Sequence, residues 1–308
     1  MQIFYLFLIV MFGASNSVEA EEKTAPYFVT MCSQGNQLGG QLLGYAVVLG
    51  YAWDHGLQPY FPREKLTQIP GGQLNYDYIF KRLPQTLSPE TILSDPIHLY
   101  SGYPIEYPGG NLCICGEPAY PLTYYNKYRD RIRDMFGPSE EVIQEIRGKY
   151  AEILDHPKTV AVHVRAYHPN THPHRCLGKD YFNNAMDRFP NDSLFVVFSD
   201  RIDWCKANLS TQDKNVIFIE GNNHVIDFYL MSLCKNIIIS NSTYSWWAAY
   251  LKKEETGLIL APEIWFYFET PAGRKTFYPD HYTTIPVAIP SEPDWSLIQY
   301  KSQSIGDT

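Results

Sequence analysis

The chain is short of positive charge. Its 25 Lys and Arg stand against 33 Asp and Glu, a formal net charge of −8. Proteins that grip nucleic acid do so with basic surface, so that class of partner is excluded, whereas one nucleotide needs only a few local cations. No CxxC pair occurs among the six cysteines, Cys32, Cys113, Cys115, Cys176, Cys205 and Cys234, which excludes a zinc ribbon and a thioredoxin-type redox site. Cys113-Ile114-Cys115 is too sparse for a metal site by itself. Cys205 and Cys234 stand among apolar residues of helical segments and read as buried thiols. No Gly-x-Gly-x-x-Gly follows a strand with an acidic residue about 20 positions later, so a dinucleotide dehydrogenase is a poor reading. No Asp-x-Asp cluster stands at a strand end, and no metal cofactor is expected. Internal repeats and low-complexity tracts are also missing. Beyond the first twenty residues nothing is long and apolar enough to cross a bilayer.

Those first twenty residues differ from the rest. Ile3 to Ala14 is apolar, and Val18-Glu19-Ala20 offers small residues at the spacing of a cleavage site, so residues 1–20 read as a signal peptide or anchor. The expected location is membrane-associated or lumenal, Golgi-like in a eukaryote, although no Lys or Arg precedes the apolar run. An export signal would permit disulfides.

The remaining length suits two domains in a chain of 308 residues that is 45% hydrophobic. Short β-branched runs recur from Lys158 onward: TVAVHV (159–164), LFVVFS (194–199), NVIFIE (215–220), NIIISN (236–241) and GLILAP (257–262). Near-continuous apolar runs of this length are strands buried on both faces. Helical patterns alternate with them, over 177–189, 201–209, 224–235 and 245–255, and Asp200 is placed to cap the second. The alternation predicts a parallel, doubly wound sheet. The first half is less regular. A strand at 27–32, a glycine turn and an apolar helix over 41–56 make one unit, and residues 57–120 read as loops and short strands with a short helix near 87–95. A helix over 138–154 leads into the second half. The expected organisation is two Rossmann-like α/β domains, 27–155 on the acceptor side and 156–295 on the nucleotide side.

Four places carry chemistry. The turn Gly35-Asn36-Gln37 sets backbone N–H groups at a helix N-terminus, where a phosphate or sugar hydroxyl can sit; a plain chain reversal explains it equally well. His163 and Arg165 lie two residues apart at the end of a strand, on one face. An arginine there reads as an anion receptor, because ligands of open α/β sheets bind at the carboxyl ends of the strands. Ser199-Asp200 with Trp204 ends the next strand, where the carboxylate is either a ligand for ribose or base or a helix cap. Ser240-Asn241-Ser242-Thr243-Tyr244-Ser245 offers hydroxyls between a strand and a helix; capping explains one of them and not all.

Taken together, His163-Val164-Arg165, Phe198-Ser199-Asp200 with Trp204-Cys205-Lys206 and Asn208-Leu209, and the stretch from Asp227 to Leu251 resemble the α-1,2-fucosyltransferase family of glycosyltransferases, family 11. Gly35-Asn36-Gln37 with Tyr45-Ala46 is similar to the family's N-terminal segment, and the resemblance covers roughly 27–265. It implies a GT-B-like fold, GDP-fucose as donor, a glycan hydroxyl as acceptor, no metal, and inversion at the sugar carbon. By the same resemblance Arg165 and His163 are the catalytic candidates. Gly35, Asn36, Gln37, Asp200, Asp227, Asn241, Ser242, Thr243 and Ser245 are the donor-binding candidates. One departure stands out. The family reads His-Val-Arg-Arg-Gly-Asp-Tyr where this chain has His163-Val164-Arg165-Ala166-Tyr167-His168, so the second arginine and the aspartate are absent. His168, His172 and Arg175 are the nearest substitutes. The alternative reading is a nucleotide-sugar- or glycan-binding protein of the same fold that has lost catalysis.

Overall fold

The computed structural model describes residues 27–31, 37–63, 67–69, 71–84, 96–98, 106–115, 122–165, 177–253, 256–265 and 277–287. Two parallel sheets organise them, as an α/β chain of this pattern requires. The first unit contains β1 (Phe28–Met31), α1 (Leu38–His55), β2 (Gln58–Pro59), α2 (Gly72–Tyr78), β3 (Pro96–His98), β4 (Leu112–Cys115), α3 (Leu122–Tyr125) and α4 (Arg129–Phe136). Its strands lie in the order β2-β1-β4-β3. Helix α5 (Glu140–Asp155) leads to the second unit: β5 (Thr159–Val164), α6 (Lys179–Met186), β6 (Leu194–Ser199), α7 (Ile202–Asn208), β7 (Asn215–Phe218), α8 (His224–Leu233), β8 (Asn236–Ile238), α9 (Thr243–Tyr250), β9 (Ile259–Pro262) and β10 (Tyr282–Ile285). These strands run in the order β10-β9-β8-β5-β6-β7, every pair parallel.

Burial explains the elements. All six residues of β5 are buried, as befits a strand between β6 and β8 with helices on both faces. β7 is an edge strand and alternates between exposed and half-buried positions. Helix α1 is apolar nearly all round and sits inside the molecule, against α9 of the second unit. It stops at Gly56, whose φ of 65° supplies the left-handed turn that closes the helix. Ser139 opens α5 by accepting the Val142 N–H, with Glu140 and Glu141 in its first turn.

Several expectations shift. The sheet of the second unit has a sixth strand, β10, at residues 282–285. The helix expected to run to 255 ends at Tyr250, because Lys252 leaves the helical path and its buried ammonium donates to the Cys234 carbonyl. Cys205 and Cys234 are buried free thiols, and Cys113 is disulfide-bonded. Among the described residues no helix is long and apolar enough to cross a membrane. The expected signal or anchor at 1–20 and the helix near 87–95 lie outside the described residues.

Candidate active site

Parallel strands bring their carboxyl ends to one edge, and the residues just past β5, β6, β7 and β8 meet there. Arg165 follows β5 and Asp200 follows β6. Arg165 Nη1 stands 2.8 Å from Asp200 Oδ2, with each side chain 26% exposed. The expected cap at Asp200 gives way to this pairing: Arg201 is the N-cap of α7, and its N–H donates to Ser199 Oγ at 2.8 Å. Trp204 is packed in the core, away from the ligand edge.

A cleft of about 540 Å³ opens beside the pair, over the ends of β6 and β7. Four carboxylates line it, Asp200, Asp203, Glu220 and Asp227, together with Gly221 and Asn222. Asp227 accepts from Asn222 Nδ2 at 2.8 Å. Burial raises the pKa of Asp227, and the Asn222 bond and the Lys149 charge oppose the rise. Asn222 Oδ1 in turn accepts from Lys149 Nζ at 2.7 Å and from Tyr150 OH at 3.0 Å. Helix α5 kinks at Tyr150 (φ −130°, ψ 32°) where those contacts form.

His163 lies within β5, 5% exposed. Its Nδ1 is 3.1 Å from Ser240 Oγ, and its ring centroid is 5.4 Å from that of Tyr244. Burial, and secondarily the Arg165 charge, hold its pKa down from 6.5 to about 3. The imidazole is therefore neutral at any ordinary pH and adds no positive charge beside Arg165.

The Ser240–Ser245 turn is arranged differently from the expectation. Ser240, Asn241 and Ser245 are fully buried. Ser240 meets His163, Asn241 Nδ2 donates to the Trp265 carbonyl at 3.0 Å, and Ser245 Oγ to the Ser242 carbonyl at 3.3 Å. These two bonds tie the Asn241 and Ser245 side chains to the backbone of the turn and of Trp265. Ser242 is the N-cap of α9 without a side-chain cap bond, and Thr243 and Tyr244 are half-buried at its start. What the turn presents is the N-terminal end of a helix, where a negative charge is favoured.

The N-terminus of α1 abuts the same place. A Cβ on Gly39 would lie 2.4 Å from Thr243 Oγ1 and 2.6 Å from Tyr244 N. Two helix starts from two units therefore touch, and only a glycine allows it. Gln37 is the exposed N-cap of α1, and its carbonyl accepts from the N–H groups of Gly40 and Gln41. Gly35, Asn36, His168, His172 and Arg175 lie outside the described residues. The sequence reading missed Gly39 and the Glu220–Asn222 loop; the Gly39-Gly40 pair after Gln37 and the Gly221-Asn222-Asn223 run were the available signals. Among the described residues no three His, Cys, Asp or Glu side chains are grouped as a metal site would need.

The chain is 33% identical over 155 residues to an α-1,2-colitosyltransferase of Escherichia coli, a match covering 46% of this chain and 52% of that protein. It is 28% identical over 181 residues to the galactoside α-(1,2)-fucosyltransferase 1 of Homo sapiens, covering 53% of this chain and 46% of the other. The chain spans about half the length of the curated relatives it matches. Among solved structures, a mutant of Arabidopsis thaliana FUT1 in complex with GDP aligns with a TM-score of 0.45 at 13% identity, over 77% of this chain and 70% of that one. The family model described as glycosyl transferase family 11 matches residues 108–275, more than half the chain, including β5 to β8. The chain belongs to glycosyl transferase family 11.

Proposed function

We propose that the chain is an inverting, metal-independent transferase that moves L-fucose from GDP-fucose to a hydroxyl of a galactoside-type glycan. The observation that carries this reading is Arg165, at the end of a central strand and paired to Asp200 at the rim of the cleft. A guanidinium there can take two oxygens of a diphosphate in a planar fork, beside the N-terminal end of α9. The base has a fitting place too. A cleft lined by carboxylates offers acceptors, and guanine presents adjacent N–H donors on its pairing edge. The relatives' names agree on an α-1,2 linkage and differ on the sugar, fucose in one and colitose in the other.

In this reaction the acceptor oxygen attacks the anomeric carbon from the face opposite GDP. The bond from that carbon to the β-phosphate oxygen breaks, the electron pair leaves with GDP, and the acceptor proton passes to a basic oxygen of the site or to solvent. Negative charge grows on the diphosphate as the sugar becomes oxocarbenium-like. A fixed arginine stabilises that charge more in the transition state than in the ground state, which is what accelerates the step. The expected location, lumenal or membrane-associated, would place the protein where such a donor is supplied.

Thermal shift tests the donor. GDP should raise the melting temperature, since a ligand bound only by the native state stabilises it in proportion to ln(1 + [L]/Kd), and UDP should do so much less. Equal shifts would overturn the assignment. Fucose transfer to a β-galactoside, followed by mass spectrometry, should persist in EDTA. A protein that binds GDP but neither transfers fucose nor slowly hydrolyses GDP-fucose would be the non-catalytic binder.

A further inference from the structure

A pair of buried amides in the first unit meets the second unit at His224. Gln41 on α1 is 2% exposed and Asn75 on α2 is 1% exposed, and Asn75 Nδ2 donates to Gln41 Oε1 at 3.1 Å. That bond fixes the orientation of the Asn75 amide, so its Oδ1 faces His224, the first residue of α8 in the second unit. His224 Nε2 lies 2.6 Å from that oxygen. An amide oxygen only accepts, so Nε2 carries the hydrogen. The other end of His224 is engaged as well: its carbonyl accepts from the Tyr244 hydroxyl. The Tyr244 ring packs on His163 and on Phe228, each with centroids 5.4 Å apart. Gly71 makes room for the arrangement. Its φ is +71°, and a Cβ there would lie 2.9 Å from His224 Cε1.

We propose that His224 is a positioning residue for the transfer reaction: through Asn75 its side chain holds the first unit in register on the second. This inference rests on the transferase reading, in which a donor held by the second unit must meet an acceptor shaped by the first. Reacting atoms tolerate little misplacement, since about 1 Å can cost on the order of 10²-fold in rate. A brace between the units is where such precision would be set. The side chain of His224 bonds Asn75, and His224 is not a lining residue of the cleft, so loss of that bond should spare nucleotide binding and harm transfer.

Glutamine and asparagine separate the two ring nitrogens. His224→Gln can place an N–H near the Nε2 position, whereas His224→Asn reaches only the Nδ1 position and leaves Asn75 without a donor. We expect His224→Asn to lower kcat/KM for the acceptor by about tenfold or more and His224→Gln to stay within about threefold of the parent chain. Gly71→Ala, which pushes the ring aside, should behave like His224→Asn. The thermal shift with GDP should be the same in all of them. The proposal is overturned if the Asn and Gln variants transfer alike, or if GDP binding falls as much as transfer. Should His224→Asn fail to fold, Gly71→Ala carries the same comparison, and parental transfer by that variant overturns the proposal. A parent chain that shows no GDP shift at all would instead remove the transferase reading on which this rests.

Discussion

Acid should weaken this fold through His163 in a way that one substitution can isolate. The imidazole lies within a central strand, 5% exposed, with its Nδ1 on Ser240 Oγ at 3.1 Å and the Arg165 charge two residues on. Burial first and that charge second lower its pKa from 6.5 to about 3. In the unfolded chain it titrates near 6.5, so as pH falls the unfolded state takes up the proton first. The neutral histidine therefore contributes its stability fully above about pH 6.5 and loses it progressively as pH falls toward 3. One proton is worth about 1.4 kcal/mol per pH unit, so by pH 4 the loss is about 3 kcal/mol, a large share of the ~5–15 kcal/mol of a typical domain. Carboxylates titrate over part of the same range, and a reference variant subtracts them. His163→Asn keeps a polar atom near Ser240 but cannot be protonated. At pH 7.5 this variant should be the less stable, because it leaves a void in the core. Urea unfolding followed by circular dichroism at pH 7.5, 6, 5 and 4 should show that gap closing by about 3 kcal/mol toward the acid end. A gap constant within about 0.5 kcal/mol across the series would refute the reasoning, since it would mean that His163 takes up its proton equally in both states.

Substitutions at two further positions separate site from scaffold. Arg165→Ala and Arg165→Lys should each lower kcat/KM for GDP-fucose by about 10² or more, because lysine supplies charge without the planar fork. The partly exposed Arg165–Asp200 pair adds only about 1 kcal/mol or less to stability, so melting should barely move in either variant; a well-folded Arg165→Ala with near-parental turnover would remove Arg165 from the leaving-group role. Gly39→Ala, by contrast, should move stability. Its Cβ would press on the Thr243 and Tyr244 backbone at 2.6 Å, which no side-chain rotation relieves, so a loss of about 1–3 kcal/mol in urea unfolding is expected, and an unchanged midpoint would contradict the close approach.

How much of this was legible in the sequence depends on how local the cause was. Four of the five apolar runs of the second half announced their strands because burial on both faces demands continuous apolar sequence; the fifth, NVIFIE, also forms a strand, but β7 lies at the sheet edge with its residues exposed or half-buried. β10 was not announced: Tyr282 and Ile285 are buried while Thr283 and Thr284 face solvent, a pattern too short and too polar to stand out, and its pairing with β9 is a tertiary fact. The early end of α9 was hidden for a similar reason. Nothing in Leu251-Lys252-Lys253 breaks a helix, and the pull comes from a carbonyl at Cys234, on another element. In the first half the strands are two to four residues long, below the length at which periodicity carries a signal.

The site divides along the same line, and the division says something about how the cleft is built. Arg165, Asp200 and the Ser240–Ser245 turn could be found because each ends a strand, and strand ends converge whatever the rest of the chain does. Their partners could not be found, because each partner arrives from a distant element. Sequence left Asp200 as either a ligand contact or a cap of its own helix; the cap loses to the Arg165 charge, since a charge-assisted pair outweighs a cap that Ser199 can partly replace. The turn shows the converse. Its hydroxyls read as ligand donors, but residues buried this deeply must satisfy their polar atoms inside the protein, and Ser240 and Ser245 do so. What remains for an anion is the end of α9 and the guanidinium beside it. The contact of Gly39 with Thr243 and the bond from His224 to Asn75 span 149 residues or more, and they set how the first unit meets that end. The sequence therefore exposes the groups that would hold a nucleotide, while the groups that align one unit with the other emerge only from the fold. In a reaction joining two substrates, the second set bears on turnover more than on affinity, which is why mutants of Gly39, Gly71 and His224 are better read by transfer than by binding.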